Sequence, residues 1–368
     1  MNRIILCSAT KIGLFAAFLF LLGNAVPARG QWIADDFSCP VSRREATDLF
    51  TLDSSHVWLS LNDHSRKKHY VIRTTDGGKS WISSTVEHPV GSLYFVSPKL
   101  GLALEFQETK PLVYDEYLVR STDGGKSWRR LSSPLIAPAP TDGLQVVGLS
   151  FADAKNGWLV ASAPSRVVVY HTSDAGRTIQ KVSEIPGIGN CSGIYVSGRT
   201  DLWIYGQGFA LHSRDEGRTW NNPLDFKKLH TNEYALSISA ARFFRDGRGF
   251  LVGAFPMMLS TQDFGNDWHV AHDSDEGGSW SISFWNDKDG CVSGPSNHLT
   301  CTNDGGVTWN LRPSVLPLAQ SQDCTAFEKL AILQSGRGWT VGNGGNVFET
   351  SDFGQTWRAF DLLSLAAK

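Results

Sequence analysis

Short stretches of alternating apolar and polar residues run along almost the whole chain. Val147, Leu149 and Phe151 alternate with other residues, and a turn-like segment at 153–157 precedes the apolar stretch that begins at Trp158. Alternation with a period of two, bounded by Gly, Asn, Asp or Ser, is typical of β-strands with one buried face. The pattern therefore predicts many short strands and no convincing helix.

The step from a turn into an aromatic or apolar strand recurs along the chain. Similar segments are Trp203-Ile204-Tyr205-Gly206, Phe250-Leu251-Val252-Gly253, Cys291-Val292-Ser293-Gly294 and Trp339-Thr340-Val341-Gly342. Each is followed by another strand, then by a polar box, then by one more strand. The pattern predicts repeats of four short antiparallel strands.

The polar box has the form Ser/Thr-x-Asp-x-Gly-x-Ser/Thr-Trp and occurs seven times. Its aspartates are Asp76, Asp123, Asp174, Asp215, Asp263, Asp304 and Asp352, spaced 41 to 51 residues apart. Six copies close on a tryptophan, namely Trp81, Trp128, Trp220, Trp268, Trp309 and Trp357. The third copy ends in Ile179, and the fifth carries Asp267 where Ser or Thr is usual.

The chemistry of this box is that of a turn. An Asp side chain accepts backbone N–H groups just beyond it, and the Gly two positions later supplies the positive φ of a tight reversal. The closing Trp carries a large apolar area that has to be buried nearby. We therefore assign the box aspartates and tryptophans a structural role.

Seven repeats of four strands predict an all-β fold, a seven-bladed β-propeller of four-stranded antiparallel blades with Asp-box turns. A single propeller domain would occupy residues 31–368. We place its blades approximately at 44–82, 90–130, 144–181, 189–221, 235–269, 278–310 and 325–362.

The boxes resemble the Asp-box, or bacterial neuraminidase repeat, over nearly all of residues 44–362. Together with Gly338-Trp339-Thr340-Val341-Gly342, they are most similar to the photosystem II stability/assembly factor family and its non-photosynthetic bacterial relatives. That resemblance implies a non-catalytic propeller that binds a protein and assists assembly of a membrane complex. It also implies an arginine patch, which we do not map to particular residues; Arg242, Arg245 and Arg248 cluster in blade five, but the last two lie in a turn between the first and second strands. Sialidases and xyloglucan-active endoglucanases share the box, which specifies fold better than function.

Residues 1–30 read as a secretory signal: Arg3 and Lys11 precede an apolar run at 12–22, and small residues follow. We expect the signal to be cleaved, which would leave an exported, periplasmic or extracellular protein without a transmembrane anchor; a retained signal anchor is the alternative. Removing it changes the formal net charge from −2 to about −5. An acidic chain does not favour nucleic acid as a partner.

The cysteines fit an exported protein, where disulfides are stable. Five remain after the signal, namely Cys39, Cys191, Cys291, Cys301 and Cys324. Cys291 and Cys301 flank a turn-rich segment and could face each other across a hairpin. The sequence does not connect the others.

The candidate partner surface lies opposite the box turns, on the face built from the loops between second and third strands. Those loops are longest in the first blades, at 62–69 and 105–117, and a Pro-rich connection at 132–142 joins blades two and three there. The candidate rim residues are Arg66, Lys67, Lys68, Glu105, Glu108, Asp115 and Glu116. They form either two solvated charged loops or a protein-recognition surface.

No catalytic, cofactor-binding or metal site is predicted, and we expect a monomer. The alternative function is a glycoside hydrolase, which would need residues that the sequence does not identify, such as opposed carboxylates across a cleft. A carbohydrate-binding propeller would be favoured if Trp280 and Trp285 were exposed together. His269, His272 and Asp273 could hold a metal ion only with a further ligand that is not evident.

Overall fold

The computed structural model describes residues 44–110, 113–131, 143–229, 236–253, 257–273, 280–294, 299–312, 327–342 and 346–360. The predicted signal peptide, the Pro-rich connection at 132–142, Cys39 and Cys324 lie outside these residues. Within the described ranges, no helix is both long and apolar enough to span a lipid bilayer.

Seven antiparallel sheets follow one another along the chain, each built from consecutive strands. Blade 1 contains β1 (Arg44–Thr51), β2 (Val57–Asp63), β3 (Lys68–Thr74) and β4 (Ile82–Val86). Blade 2 contains β5 (Val90–Phe95), β6 (Gly101–Lys110), β7 (Val113–Ser121) and β8 (Arg129–Arg130). Blade 3 contains β9 (Gln145–Phe151), β10 (Gly157–Ala163), β11 (Arg166–Thr172) and β12 (Gln180–Pro186).

Blade 4 has three strands, β13 (Cys191–Gly198), β14 (Asp201–Gly206) and β15 (Phe209–Ser213). In place of a fourth strand, the backbones of His212 and Asn221 exchange two hydrogen bonds of 2.8 and 3.0 Å. Among the described residues, blade 4 thus has one strand fewer than its neighbours.

The last three blades have four strands each. Blade 5 contains β16 (Ile238–Phe243), β17 (Gly249–Gly253), β18 (Met257–Thr261) and β19 (His269–Asp273). Blade 6 contains β20 (Ser281–Phe284), β21 (Gly290–Ser293), β22 (Leu299–Thr302) and β23 (Asn310–Arg312). Blade 7 contains β24 (Phe327–Ile332), β25 (Gly338–Gly342), β26 (Val347–Thr350) and β27 (Arg358–Ala359). The predicted seven-bladed β-propeller is confirmed.

The first strands of successive blades contact one another all the way round, and β24 of blade 7 contacts β1 of blade 1. Among the described residues, each blade uses only its own consecutive strands, and side chains join blade 7 to blade 1. The ring of Trp81 meets that of Trp339 edge-on at a centroid distance of 5.3 Å. The Lys329 ammonium pairs with the Asp48 carboxylate, which links blade 7 to blade 1.

The core lies between neighbouring blades. The second-strand tryptophans, Trp58, Trp158, Trp203 and Trp339, are each 0% exposed. Among the box tryptophans, Trp268, Trp309 and Trp357 are buried, whereas Trp81, Trp128 and Trp220 are half-buried. Aromatic residues thus fill each interface, while the outer strands such as β4 and β12 remain largely exposed.

Cys291 and Cys301 lie directly opposite each other on β21 and β22 and form a disulfide. Both are buried in the cluster that joins blades 6 and 7. The second strand of blade 6 therefore carries a covalent link at the position where four other blades carry a tryptophan.

Candidate functional site

The box aspartate holds its own turn together. In blade 1, Asp76 accepts hydrogen bonds from the hydroxyls of Thr74 (2.8 Å) and Ser80 (2.6 Å) and from the backbone N–H groups of Lys79 and Ser80 (both 2.9 Å). Asp215 of blade 4 has equivalent donors, and the N–H and hydroxyl of Thr219 lower its pKa to about 2. These carboxylates are engaged by their own loops, which fits the structural role predicted for them.

The fifth box departs from this pattern at the position that the sequence marked as unusual. Asp267 donates its N–H to Asp263 at 3.0 Å, but its carboxylate has no proton to give. The Asp267 carboxylate pairs instead with the Lys228 ammonium at 2.5 Å, and Lys228 lies outside the turn. One side-chain hydrogen bond of the box is thereby exchanged for an ion pair.

Each box also contacts the preceding blade, a role that the sequence reasoning missed. The indole N–H of Trp58 in blade 1 donates to the Gly124 carbonyl in the box of blade 2 at 2.9 Å. Trp158 of blade 3 reaches the Glu216 carbonyl of the next box at 3.0 Å. The recurrence of Trp at this second-strand position was the available signal, since a buried indole N–H needs an acceptor.

The box glycine is required by this contact as well as by the turn. Gly265 has a φ of +78°, and a Cβ placed there would lie 2.3 Å from the ring of Trp203 in the preceding blade. The residue before the glycine also has a positive φ, including non-glycine residues such as Phe264 at 59°. The box therefore contains two consecutive left-handed residues, where the sequence predicted one.

The basic part of the predicted rim is a surface turn. Arg66 and Lys67 lie in the turn between β2 and β3, and Lys68 begins β3. All three are exposed. The buried carboxylate of Asp63 fixes the turn by accepting the Arg66 N–H at 3.0 Å and the Ser65 hydroxyl at 2.6 Å.

The acidic part of the rim differs from the predicted loop. Residues 105–117 belong mainly to a β-hairpin, because β6 runs for 10 residues and β7 for 9. In blade 6 the corresponding strands have four residues each. At about 3.3 Å per residue, the described strands of the blade 2 hairpin are longer by roughly 15–20 Å. Near its tip Tyr114 is 46% exposed.

Glu105 and Glu116 are buried rather than part of a solvated loop. Glu105 accepts a hydrogen bond of 2.5 Å from Nε of Arg130, whose guanidinium lies 3.7 Å from the centroid of the Tyr117 ring. Glu116 accepts the Val146 N–H of blade 3 at 2.8 Å, and burial raises its pKa to about 7. On the acidic side, Glu108 is exposed and Asp115 half-buried, so the rim's acidic surface is smaller than predicted.

Of the arginines considered for a patch, Arg248 links blades 5 and 6. Arg242 and Arg248 lie 5.1 and 4.6 Å from the centroid of the Phe244 ring. Arg248 also donates to the Gly305 carbonyl at 2.9 Å. Phe250 stands at the second-strand position here, so Arg248 supplies the hydrogen bond that a Trp indole supplies elsewhere. Arg245 is exposed.

Trp280 and Trp285 are both half-buried, so they do not form the exposed pair that would favour a carbohydrate-binding propeller. Trp285 packs against Phe353 at a centroid distance of 5.4 Å. His269 pairs with Asp267 at 3.3 Å, and among the described residues no group of three or more His, Cys, Asp or Glu side chains could hold a metal ion.

Residues 274–365 match the model of a family described as photosynthesis system II assembly factor YCF48. This match confirms, for that part of the chain, the resemblance predicted from the boxes. No curated protein matches the chain in sequence at a significant level.

Several solved propellers have a similar fold. A structure of YCF48 bound to D1 peptide is 16% identical, with a TM-score of 0.58, and the match covers 84% of this chain and 91% of that one. YCF48 from Cyanidioschyzon merolae is 16% identical, with a TM-score of 0.56, covering 84% and 96%. The WD40 propeller domain of Doa1 is 12% identical, with a TM-score of 0.55, covering 88% and 94%. At identities this low, the similarity shows a shared fold and does not by itself show a shared function.

Proposed function

We propose that the chain is an exported, non-catalytic β-propeller that binds another protein and acts as an assembly or stability factor for a complex of the cell envelope or membrane. The observation that carries the proposal is the match of residues 274–365 to the photosystem II assembly factor model. A similar propeller described as bound to a D1 peptide supports it. The predicted signal at 1–30 supports export.

We place the partner on the non-box face, at the rim of blades 1 and 2. The exposed basic turn at 66–68 belongs to the blade next to a hairpin whose described strands are longer than those of the other blades and which carries an exposed tyrosine, Tyr114. Tyrosine and arginine are enriched at protein interfaces, and exposed charge steers a partner of opposite sign. The box face offers a partner fewer free groups, because the box carboxylates already accept hydrogen bonds within their own turns.

The test is capture of partners from the native envelope fraction at pH 7.5. Wild-type protein is compared with a rim variant carrying Arg66→Glu, Lys67→Glu and Lys68→Glu. The matched control reverses three exposed cations of the box face, Lys79, Lys126 and Arg177.

A protein that is retained by the wild type and the control but lost by the rim variant would support both the function and the face. If all three forms retain the same proteins equally, the proposed face is wrong. If none retains a protein, the scaffold function loses its support, and glycan arrays and hydrolysis assays would then test the alternative of sugar binding or cleavage.

A further inference from the structure

A cavity of about 330 Å³ lies between blades 5 and 6. Its blade 5 wall comes from the turn before β17 and the end of β18, and its blade 6 wall from the turn before β21 and the box at 304–307. The Gly305 N–H of that box donates to the Lys288 carbonyl of the turn at 2.9 Å, so the cavity lies on the box face. Pockets for small molecules start at about 300 Å³, which makes this cavity large enough for a small ligand.

Some charged groups of the cavity already hold its walls together. Asp246 pairs with Arg248 at 2.8 Å, and the Arg248 guanidinium also donates to the Asp287 and Gly305 carbonyls, both at 2.9 Å. The Asp304 carboxylate accepts hydrogen bonds within its own box turn. These groups position the walls and have little hydrogen-bonding capacity left for a ligand.

Four other polar side chains line the same cavity and are not used in this way. Within the described part of the chain, none of them makes a hydrogen bond or an ion pair with the protein; they are Ser260, Gln262, Asp287 and Lys288. Water satisfies such groups in the free protein, and a ligand with matching polar groups can take the place of that water. The cavity thus presents several polar groups that a ligand could bind at once.

The turn that carries two of these side chains is fixed before any ligand binds. The Asn286 side-chain oxygen accepts the N–H groups of Lys288 and Asp289, both at 2.7 Å. The hydrogen bond from Gly305 ties the same turn to the box. A ligand would therefore not have to order this backbone, which lowers the cost of binding.

The chemistry of the lining favours a neutral ligand with many hydroxyl groups. Three of its charged residues are acidic and two are basic, a net charge of −1, so it does not select an anion. The two charges without a partner in the described part of the chain, Asp287 and Lys288, are of opposite sign. Gln262 and Ser260 add neutral donors and acceptors, and a ligand hydroxyl can both donate and accept. Val307, which is 73% exposed, gives the cavity an apolar wall for C–H groups.

We propose that this cavity binds a neutral sugar residue of a glycan, with Gln262, Asp287 and Lys288 forming hydrogen bonds to its hydroxyl groups. The inference goes beyond the proposed function, because the cavity lies on the face opposite the proposed partner rim. It also differs from the sugar surface considered from the sequence, since neither Trp280 nor Trp285 lines the cavity.

The measurement is calorimetric titration of the protein with glucose, galactose, mannose and N-acetylglucosamine. A ligand of this size with a few hydrogen bonds should bind with a dissociation constant of about 1 mM, and we expect this for at least one of the four sugars. Raising the NaCl concentration from about 20 mM to about 300 mM should change the constant by less than about twofold, because salt screens interactions between charges and the sugar has none.

Two variants test the site, Asp287→Ala and Lys288→Ala. Each should weaken sugar binding by about tenfold or more, since each removes a hydrogen bond from a charged group. Their thermal midpoints should equal that of the wild type, because these side chains have no partner in the described protein. Lys99→Ala is the matched control and should bind like the wild type. Lys99 is the equivalent exposed lysine of blade 2, and its carbonyl accepts the Gly124 N–H of that box at 2.9 Å.

Three results would each overturn the inference. They are no binding of any of the four sugars below about 50 mM, wild-type sugar affinity in both variants, and tighter binding of glycine, acetate or methylammonium than of any sugar. The rim variant of the capture experiment should bind sugar like the wild type, so the proposed function and this site can fail separately.

Discussion

Glu116 should make the propeller less stable as the pH rises toward neutral. The residue is 9% exposed, and its carboxylate accepts a backbone hydrogen bond from Val146 of the next blade. Burial raises its pKa from 4.5 to about 7. A carboxyl whose pKa is higher in the folded state contributes most below pH 4.5, and that contribution is lost as pH rises through about 7.

The magnitude follows from the same shift. Each pKa unit corresponds to about 1.4 kcal/mol, so ionising Glu116 in place costs on the order of 3 kcal/mol. Glu116→Gln removes the ionisation while its side-chain oxygen still accepts the Val146 N–H. The variant should be more stable than the wild type at pH 8 by up to about 3 kcal/mol and nearly equal to it at pH 4.5.

The assay is urea unfolding followed by tryptophan fluorescence at pH 4.5, 6, 7 and 8, with the difference between variant and wild type plotted against pH. Taking this difference cancels titrations that both forms share. Glu108→Gln, an exposed position on the same hairpin, is the control for the substitution itself. A difference for Glu116→Gln that is as large at pH 4.5 as at pH 8 would refute the reasoning, since it would reflect packing rather than ionisation.

Two further predictions concern the scaffold. Replacing Cys291 and Cys301 by serine should lower the free energy of unfolding by roughly 3 kcal/mol, because a cross-link over a separation of 10 residues restricts the unfolded chain. Equal urea midpoints for this variant and the wild type under oxidising conditions would contradict this prediction. Gly265→Ala should destabilise the protein more than Gly143→Ala does. Both glycines have a positive φ, but only the Cβ added at position 265 would collide with a neighbour, Trp203. Equal losses in thermal midpoint would show that the turn, rather than this clash, requires glycine.

The repeat and its turn were predictable because their chemistry is local. Every hydrogen bond that Asp76 accepts comes from within four residues, so the box spacing alone indicates the turn. The period of the boxes then fixes the number of blades. The contact of Trp58 with the next box was less visible, because it joins residues 66 positions apart.

The rim was harder to predict because burial there depends on neighbouring blades. Glu105 and Glu116 read as solvated loop residues, yet their partners, Arg130 and Val146, stand 25 and 30 residues away.

The contact between the last blade and the first was also hard to predict, because its residues lie far apart in the sequence. Asp48 is buried, and its carboxylate accepts the Leu49 N–H at 2.9 Å, the Leu93 N–H of blade 2 at 2.6 Å and the Lys329 ammonium of blade 7. One side chain thus joins three blades, and Lys329 is 281 residues distant along the chain. A buried carboxylate needs such partners, because leaving it unpaired would be strongly unfavourable. Through Lys329, that requirement links blade 7 to blade 1.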